Sequence, residues 1–225
     1  MIAMLLLYLI PIILYLTVMI VAFPRANKQR AIARNWATSR GFSFHKSNPT
    51  LVSHLRGGPF MGADQACVHD FITGITPSGR TFCSFLYSFG SKIQAVVMVR
   101  LPATLPSLIL TPEMAGDKMA KLFGGQDIEL ESERFNRLFR IQSPVEAFAY
   151  GVMHPRMMEW LMGPALGLVP FIIDGQDVIC WRYGPADYST LDTQLVAMCN
   201  LIDLIPQSVF ERYATTPALG WAPPG

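Results

Sequence analysis

The first 23 residues, MIAMLLLYLIPIILYLTVMIVAF, contain no charged side chain. As a helix they reach about 35 Å, which is enough to cross a hydrocarbon core of about 30 Å. A cleaved signal peptide is the rival interpretation, but no Lys or Arg precedes this run, and Phe23-Pro24-Arg25 closes it in place of a small-residue cleavage site. The sequence therefore predicts an uncleaved transmembrane helix over residues 1–23.

Basic residues follow this apolar run directly. The segment from Pro24 to Ala63 contains Lys and Arg but no Asp or Glu, whereas the rest of the chain is net acidic. Basic residues beside one end of a transmembrane helix mark the cytoplasmic side, so we expect a single-pass protein of the cell membrane with its amino terminus outside. Basic side chains at this position also contact anionic lipid headgroups. The residues expected at the membrane surface are Arg25, Lys28, Arg30, Arg34 and Arg40.

The remaining chain divides into three parts. Residues 24–41 predict a basic juxtamembrane helix that ends at Gly41. Residues 42–213 have the length and pattern of one soluble, cytoplasmic domain. Residues 214–225 are rich in proline and predict a flexible tail. Because the basic residues lie next to the apolar run and the domain itself is acidic, nucleic acid is not expected as a partner.

Alternating and helical patterns within residues 42–213 predict an α+β domain. Two strands, 66–74 and 80–89, flank a Pro-Ser-Gly turn, and prolines bound two further strands over 93–102 and 107–111. A tight-turn signal at Asp174-Gly175 splits residues 171–183 into two short strands. The last predicted helix begins after Ser189 and ends at Pro206. We therefore expect a mostly antiparallel sheet with interspersed helices and a carboxyl-terminal helix, with a small closed barrel as one specific form.

Four acidic residues alternate in the segment DIELESE, at Asp127, Glu129, Glu131 and Glu133. In an extended segment, alternate residues share a face, which here opposes the apolar Ile128. Carboxylates at i and i+2 on one strand diverge, and no DxDxDG calcium loop is present. The pattern favours a solvated face over a metal site.

The cysteines and histidines do not form a recognisable metal motif. Cys67 and His69 share one face of a predicted strand, but a second pair with matching spacing is absent. Common nucleotide-binding and hydrolase motifs are absent as well. We therefore predict no metal, no cofactor and no catalytic residue.

The segment MHPRMMEWLM is rich in methionine. On a helix, its Met and Trp side chains cover more than half of the circumference. A helix buried on most sides would account for this, but adaptable partner grooves and membrane interfaces also use Met and Trp. The residues predicted to contact a partner or lipid are Met157, Met158, Trp160 and Met162.

Two segments carry a family resemblance: DIELESERFNRLF at residues 127–139 and HPRMMEWL at 154–161, with GGPF at 57–60 as a further element. With them, the chain resembles a family of membrane-anchored bacterial proteins, mainly from actinobacteria, that carry a domain of unknown function. The resemblance implies a membrane-bound soluble domain and supplies no reaction. Within the motif, Phe135 and Phe139 are expected as aromatic anchors, and Asn136 as a turn residue that bonds backbone groups.

The leading hypothesis for function is a membrane-tethered, cytoplasm-facing interaction or regulatory module, for example an accessory subunit of a membrane complex. Its expected partners are the lipid bilayer and another membrane protein or complex. The alternative is a membrane-associated enzyme acting on a lipid or envelope precursor. A deep polar pocket holding a titratable group with a shifted pKa would favour the enzyme.

Overall fold

The computed structural model describes residues 27–55, 60, 66–113, 127–163 and 170–215, with Ile10 and Ile12. The predicted transmembrane helix otherwise lies outside the described residues, as do Arg25 and all but the first two residues of the predicted tail. Within the described part, no helix is long and apolar enough to cross a membrane.

Helices and strands alternate irregularly along the chain. The helices are α1 (27–38), α2 (Pro49–His54), α3 (Glu133–Asn136), α4 (Glu146–Val152), α5 (Pro155–Leu161), α6 (Leu191–Leu204) and α7 (Gln207–Tyr213). The strands are β1 (Ser43–Ser47), β2 (Cys67–Ile75), β3 (Thr81–Phe89), β4 (Lys92–Pro112), β5 (Phe139–Gln142) and β6 (Phe171–Tyr183).

The six described strands form one antiparallel sheet in the order β1-β2-β3-β4-β5, with β6 paired to β4. This confirms the predicted α+β class and the mostly antiparallel sheet. The barrel is wrong, because β1 pairs only with β2 and β6 pairs only with β4 among the described strands, so the sheet stays open.

Strand β4 corrects the prediction of two proline-bounded strands. It runs unbroken over 21 residues and pairs along its length with β6. The pairing register shifts between Arg100 and Leu105 and again before Leu108, so Pro102 and Pro106 lie in the irregular stretch. Proline cannot donate to a ladder, but it is tolerated where the ladder is already interrupted.

The predicted turn at Asp174-Gly175 is wrong, because β6 continues through these residues as β4 continues through its prolines. Strand β6 is one 13-residue strand, and Gly175 lies opposite Leu105 with a φ of +58°. Glycine at positive φ suits a β-bulge as well as a hairpin turn, so the local signal did not distinguish them. The two long strands therefore bend together at this point, which we call the β4–β6 bend.

Apolar side chains are buried on both faces of the sheet. On one face, α1, α6 and α7 contribute to a core with Phe82, Val97 and Cys180. On the other, α2 packs with Phe85, Tyr87 and Trp181 in a second cluster. Because both faces are covered, Phe82 through Phe85 are all buried, and the alternating pattern expected for a half-buried strand is lost there.

The carboxyl-terminal region contains one helix more than the sequence predicts. Helix α6 follows Thr190 and ends before Pro206, but the chain then turns into α7, from Gln207 to Tyr213. Val209 on α7 is buried, and the ring of Phe148 on α4 contacts that of Tyr213 at 5.5 Å. Such a short helix depends on tertiary packing, so its own residues carry little signal.

Candidate functional site

Helix α1 is held firmly against the sheet. Ala33, Trp36 and Ala37 are buried, and the Trp36 ring lies 5.6 Å from that of Phe42 and 6.2 Å from that of Tyr188. The small alanines allow the helix backbone to approach its neighbours closely, while Trp36 fills the space between the connecting segments. The orientation of α1 on the domain is therefore fixed by packing.

The predicted membrane-surface residues on α1 and directly after it are not equivalent. Arg30 Nε donates to Asp70 Oδ1 at 2.9 Å, and Arg40 pairs with Asp192 at the first turn of α6. Lys28 and Arg34 are exposed, and the Arg34 guanidinium lies 5.4 Å from the centre of the Phe44 ring. Arg30 and Arg40 thus join the helix to the domain, whereas Lys28 and Arg34 face outward.

Asp70 occupies an unusual position for an acidic residue in a strand. It is 4% exposed and has a φ of +50°, within the stretch of β2 where the register against β3 shifts. Just before the shift, His69 pairs with Leu86, and its Nε2 lies 3.1 Å from Ser88 Oγ. The bulge aims the Asp70 carboxylate at α1, and its buried charge is balanced there by Arg30.

The start of α1 defines one end of the molecule. Gln29 and Ile32 share an open groove of about 540 Å³ with Arg182 and Tyr183 at the end of β6. Beside them is the β3–β4 turn, since Gly184 N donates to Ile93 O at 2.8 Å. We call this region the anchor end, defined by the first turns of α1, the β3–β4 turn at residues 89–93, and Arg182 and Tyr183.

A larger groove lies at the opposite end of β3. It has a volume of about 790 Å³ and opens between α5 and the corner where α6 meets α7. Its charged side chains are of both signs, and Asp203 is fixed by Arg80, whose Nη2 lies 2.7 Å from Asp203 Oδ1. We call it the distal groove. Its lining residues are His154, Arg156, Glu159, Trp160, Asn200, Asp203, Leu204, Ile205, Pro206 and Gln207.

The methionine-rich helix α5 forms one wall of the distal groove. Met157 is fully buried in the main core, so it supports the helix and has no surface for a partner. Met158, Trp160 and Met162 are half-buried, and Trp160 lines the groove. His154 precedes α5, and its Nε2 lies 2.9 Å from the Leu204 carbonyl oxygen, which fixes the start of α5 against the end of α6.

The acidic segment and the FNxxF motif have structural roles. Asp127, Glu129 and Glu131 are exposed while Ile128 and Leu130 are buried, which is the alternation that the sequence predicts. The segment is extended but forms a ladder bridge only at Asp127, and Glu133 already begins α3.

Asn136 fastens this extended segment to α3. Its Oδ1 accepts from Leu130 N at 3.2 Å, and its Nδ2 donates to Leu130 O at 2.8 Å. Phe135 and Phe139 are buried with ring centres 4.8 Å apart. Asn136 thus supplies the backbone bonds that a neighbouring strand would otherwise provide.

A smaller cavity of about 230 Å³ lies between the sheet and the first turn of α6. Ser84 and Val97 form part of its floor, and Thr190 and Gln194 part of its rim. Ser84 is 3% exposed because α6 covers this face of the sheet. The mixture of small hydroxyl and apolar groups does not select a ligand class.

Titratable groups with shifted pKa lie at the β4–β6 bend. Arg100 Nε and Asp177 Oδ1 are 3.6 Å apart across the two strands. Burial raises the pKa of Asp177 to about 6, although Arg100 acts in the opposite direction. Burial also raises the pKa of Cys83, with the Asp177 charge adding to it. Asp177 and Cys83 line none of the three cavities described above.

Metal ligation is not supported by the described side chains. Among them, no group of three or more His, Cys, Asp or Glu residues is placed to hold an ion. Cys67 is exposed, and Cys83, Cys180 and Cys199 are buried free thiols. Burial raises the pKa of Cys180 to about 12, so this thiol remains protonated at neutral pH.

Comparison with known proteins gives a fold relationship. No family profile matches the chain, and no curated protein matches it. Among solved structures, the crystal structure of the mycobacterial trehalose monomycolate transport factor A, TtfA, superposes with a TM-score of 0.62 at 12% sequence identity. The match covers 78% of this chain and 93% of that chain, so nearly the whole of the TtfA structure has its counterpart here. At this identity the likeness shows that the two chains share a fold.

Proposed function

We propose that this chain is a membrane-tethered accessory module in the transport of an envelope lipid, and that it acts by binding a membrane protein or complex. The observation that carries the proposal is the shared fold with TtfA, a transport factor for trehalose monomycolate, over 93% of that chain. The apolar run over residues 1–23 and the basic residues after it supply the tether in this proposal.

The distal groove is the surface proposed for the partner. It combines Trp160, a half-buried aromatic residue, with Arg156 and with carboxylates at Glu159 and Asp203. Trp and Arg are enriched among the residues that carry binding energy in protein interfaces, and charges of both signs at the rim favour a specific partner. The described side chains whose pKa is clearly shifted, among them Asp177, Cys180 and Tyr188, do not line this groove, which favours a binding role for it over catalysis.

The proposed orientation places the amino terminus outside and the folded domain in the cytoplasm. It can be tested with a chain in which Ser208, an exposed residue of α7, is changed to Cys and Cys67 to Ser. A thiol reagent that cannot cross membranes should label this cysteine only after the cells are permeabilised. Labelling in intact cells would reverse the orientation.

The partner can be tested by photo-cross-linking in living cells. A photoreactive amino acid replaces Glu159 in the distal groove or, as the matched control, the exposed Glu129 outside it. We expect the Glu159 position to cross-link one discrete integral membrane protein and the Glu129 position not to do so. The cross-link should weaken when Trp160 is changed to Ala, and not when the exposed Tyr150 is changed to Ala.

The transport role has its own test. Depletion of this chain should cause the lipid that its partner moves to accumulate in the cell and to diminish in the outer envelope, as measured in lipid extracts. Equal cross-linking from positions 159 and 129 would contradict partner binding in the distal groove. Unchanged envelope lipids after depletion would contradict the transport role.

A further inference from the structure

The described fold begins at Asn27, which lies at the anchor end. The apolar run ends at Phe23, and four residue steps span at most about 14 Å. Given the tether on which the proposed function rests, the anchor end is held within this distance of the bilayer. We propose that the anchor end docks on an anionic bilayer surface, with the β3–β4 turn inserted among the lipid headgroups.

The apolar side chains at this end are exposed without an evident need of the fold. Phe89 is 37%, Ile93 47% and Tyr183 57% exposed. Phe89 and Tyr183 lie on one face of the sheet, because Phe89 pairs with Lys92 across a two-residue turn and Tyr183 pairs with Gln94, the next β4 residue on that face. Ile93 lies between Lys92 and Gln94 and therefore points to the other face of the same turn. Aromatic residues concentrate at the level of the headgroups, where a ring is half in water and half in lipid. With the β3–β4 turn inserted edge-on, the headgroup layer would contact these side chains on both faces of the sheet.

The charges around these residues are mainly positive. Lys28, Lys92 and Arg182 are exposed. Of the nearby acids, Asp70 is paired with Arg30, whereas hydrogen bonds from the Ser189 hydroxyl and amide lower the pKa of Asp187, which therefore keeps its charge beside Arg182. Each basic residue near an anionic surface contributes on the order of 1 kcal/mol, or about a fivefold preference for docking. The same side chains give no such preference for a neutral bilayer.

Docking at this end would set the direction of the distal groove. Arg80, just before β3, bonds to Asp203 of the distal groove, while Phe89 ends the same strand at the anchor end. Nine residues of strand span roughly 30 Å. The docked domain therefore presents the distal groove about 30 Å from the headgroups, within reach of the cytoplasmic part of a membrane protein.

The test uses the full-length chain reconstituted into vesicles of phosphatidylglycerol and phosphatidylcholine. Ser91, in the β3–β4 turn, is changed to Cys in a chain carrying Cys67→Ser, and an environment-sensitive fluorophore is attached. The matched control carries the same fluorophore at Ser208→Cys, near the distal groove. Lipids with a nitroxide at the headgroup then report which probe lies in the interface.

We expect the probe at position 91 to shift to the blue and to be quenched by the nitroxide lipid, and the probe at position 208 to stay in water. Changing both Phe89 and Ile93 to Ser should abolish the quenching. If the probe at position 91 stays in water while the chain resists carbonate extraction, the chain is anchored in the membrane but its anchor end does not dock on the bilayer, which would contradict the proposal. If carbonate extracts the chain, the proposed function loses its tether.

The charge contribution has a separate readout. Changing both Lys92 and Arg182 to Gln should lower the ratio of docked to undocked domain by about 25-fold, since each residue contributes about fivefold. The matched control changes the exposed Arg134 of α3 and Arg137 directly after it, and should leave the ratio unchanged. Replacing phosphatidylglycerol by phosphatidylcholine should act like the first pair of substitutions. Equal quenching in both vesicles would contradict the anionic surface.

Discussion

The anchor end and the distal groove lie at opposite ends of strand β3 and differ in their surface chemistry. At the anchor end, exposed apolar side chains stand beside Lys and Arg, and the nearest buried acid is already paired with Arg30. In the distal groove, charges of both signs surround Trp160 in a concave surface of about 790 Å³. The first pattern suits a flat anionic surface, and the second suits a shaped protein partner.

The difference teaches that the position of a charged residue within the tertiary fold decides what it can bind. Lys28 and Arg30 are two residues apart in the sequence, yet Lys28 faces outward and Arg30 balances the buried Asp70. At the β4–β6 bend, Asp177 lies against Arg100.

The largest effect on the free energy of unfolding is expected from Asn136, which holds the extended segment over residues 127–131 against α3. Changing Asn136 to Ala removes both hydrogen bonds to Leu130 and leaves a buried N–H and C=O unpaired. At roughly 1–3 kcal/mol for each group, the free energy of unfolding should fall by about 3 kcal/mol, as measured by urea denaturation in detergent. Asn136→Asp keeps the acceptor for Leu130 N but sets a carboxylate oxygen against the Leu130 carbonyl, so it should not restore the stability. A loss under about 1 kcal/mol for Asn136→Ala would contradict the proposed role of Asn136 in holding this segment.

The second prediction concerns the pH dependence of the bend. The pKa of Asp177 is about 6 in the fold and 3.8 ordinarily, so between these values the folded chain binds the proton more tightly. Stability from this group is therefore present at low pH and is lost as the pH rises through about 6, by at most about 3 kcal/mol. Asp177→Asn should remove this fall from urea denaturation curves, whereas the exposed Asp192→Asn should keep it.

The third prediction separates two arginines of α1. Changing Arg30 to Gln leaves the Asp70 charge buried without its cation and should cost about 1–2 kcal/mol, less than for a fully buried pair because Arg30 is 38% exposed. Arg34→Gln, one turn away, should cost under about 0.5 kcal/mol. Equal losses in the free energy of unfolding for the two variants, measured by urea denaturation, would contradict the distinction between the inward-facing Arg30 and the outward-facing Arg34.

The smallest effect is expected on the acidic segment. Glu129 and Glu131 are exposed, so changing both to Gln should alter the free energy of unfolding by under about 0.5 kcal/mol. Metal analysis of the purified chain should give the same result before and after the change. Loss of a stoichiometric divalent ion in the double variant would show that this face binds a metal ion, which would contradict the prediction.

Local patterns predicted the elements better than their connections. The alternation over residues 127–131 and the backbone-bonding role of Asn136 follow from side-chain chemistry over a few residues, and both appear in the structure. The prolines of β4 and the Gly175 bulge carried signals that fit a strand end, a turn or a bend equally well. The bend follows from the pairing of β4 with β6, and local sequence patterns do not show which distant strands will pair.

The candidate site was only partly visible in the sequence for the same reason. Trp160 and its methionines were predicted as a contact surface, but burial of Met157 and the opposite wall of the groove, with Asp203 and Gln207, come from the packing of α5 against α6 and α7. Phe89 and Ile93 looked like ordinary strand residues. Their exposure depends on how far the neighbouring elements extend.

By itself, the sequence determined the apolar run over residues 1–23, the basic segment after it, the α+β class and the antiparallel character of the sheet. These follow from hydrophobicity, charge and short-range periodicity, which act on each segment separately. Only the tertiary structure decided that β4 and β6 are continuous, that the sheet stays open, and which basic residues are paired inward. Those outcomes depend on contacts between residues far apart in the chain, where burial on both faces of the sheet and the balance of buried charge select one arrangement.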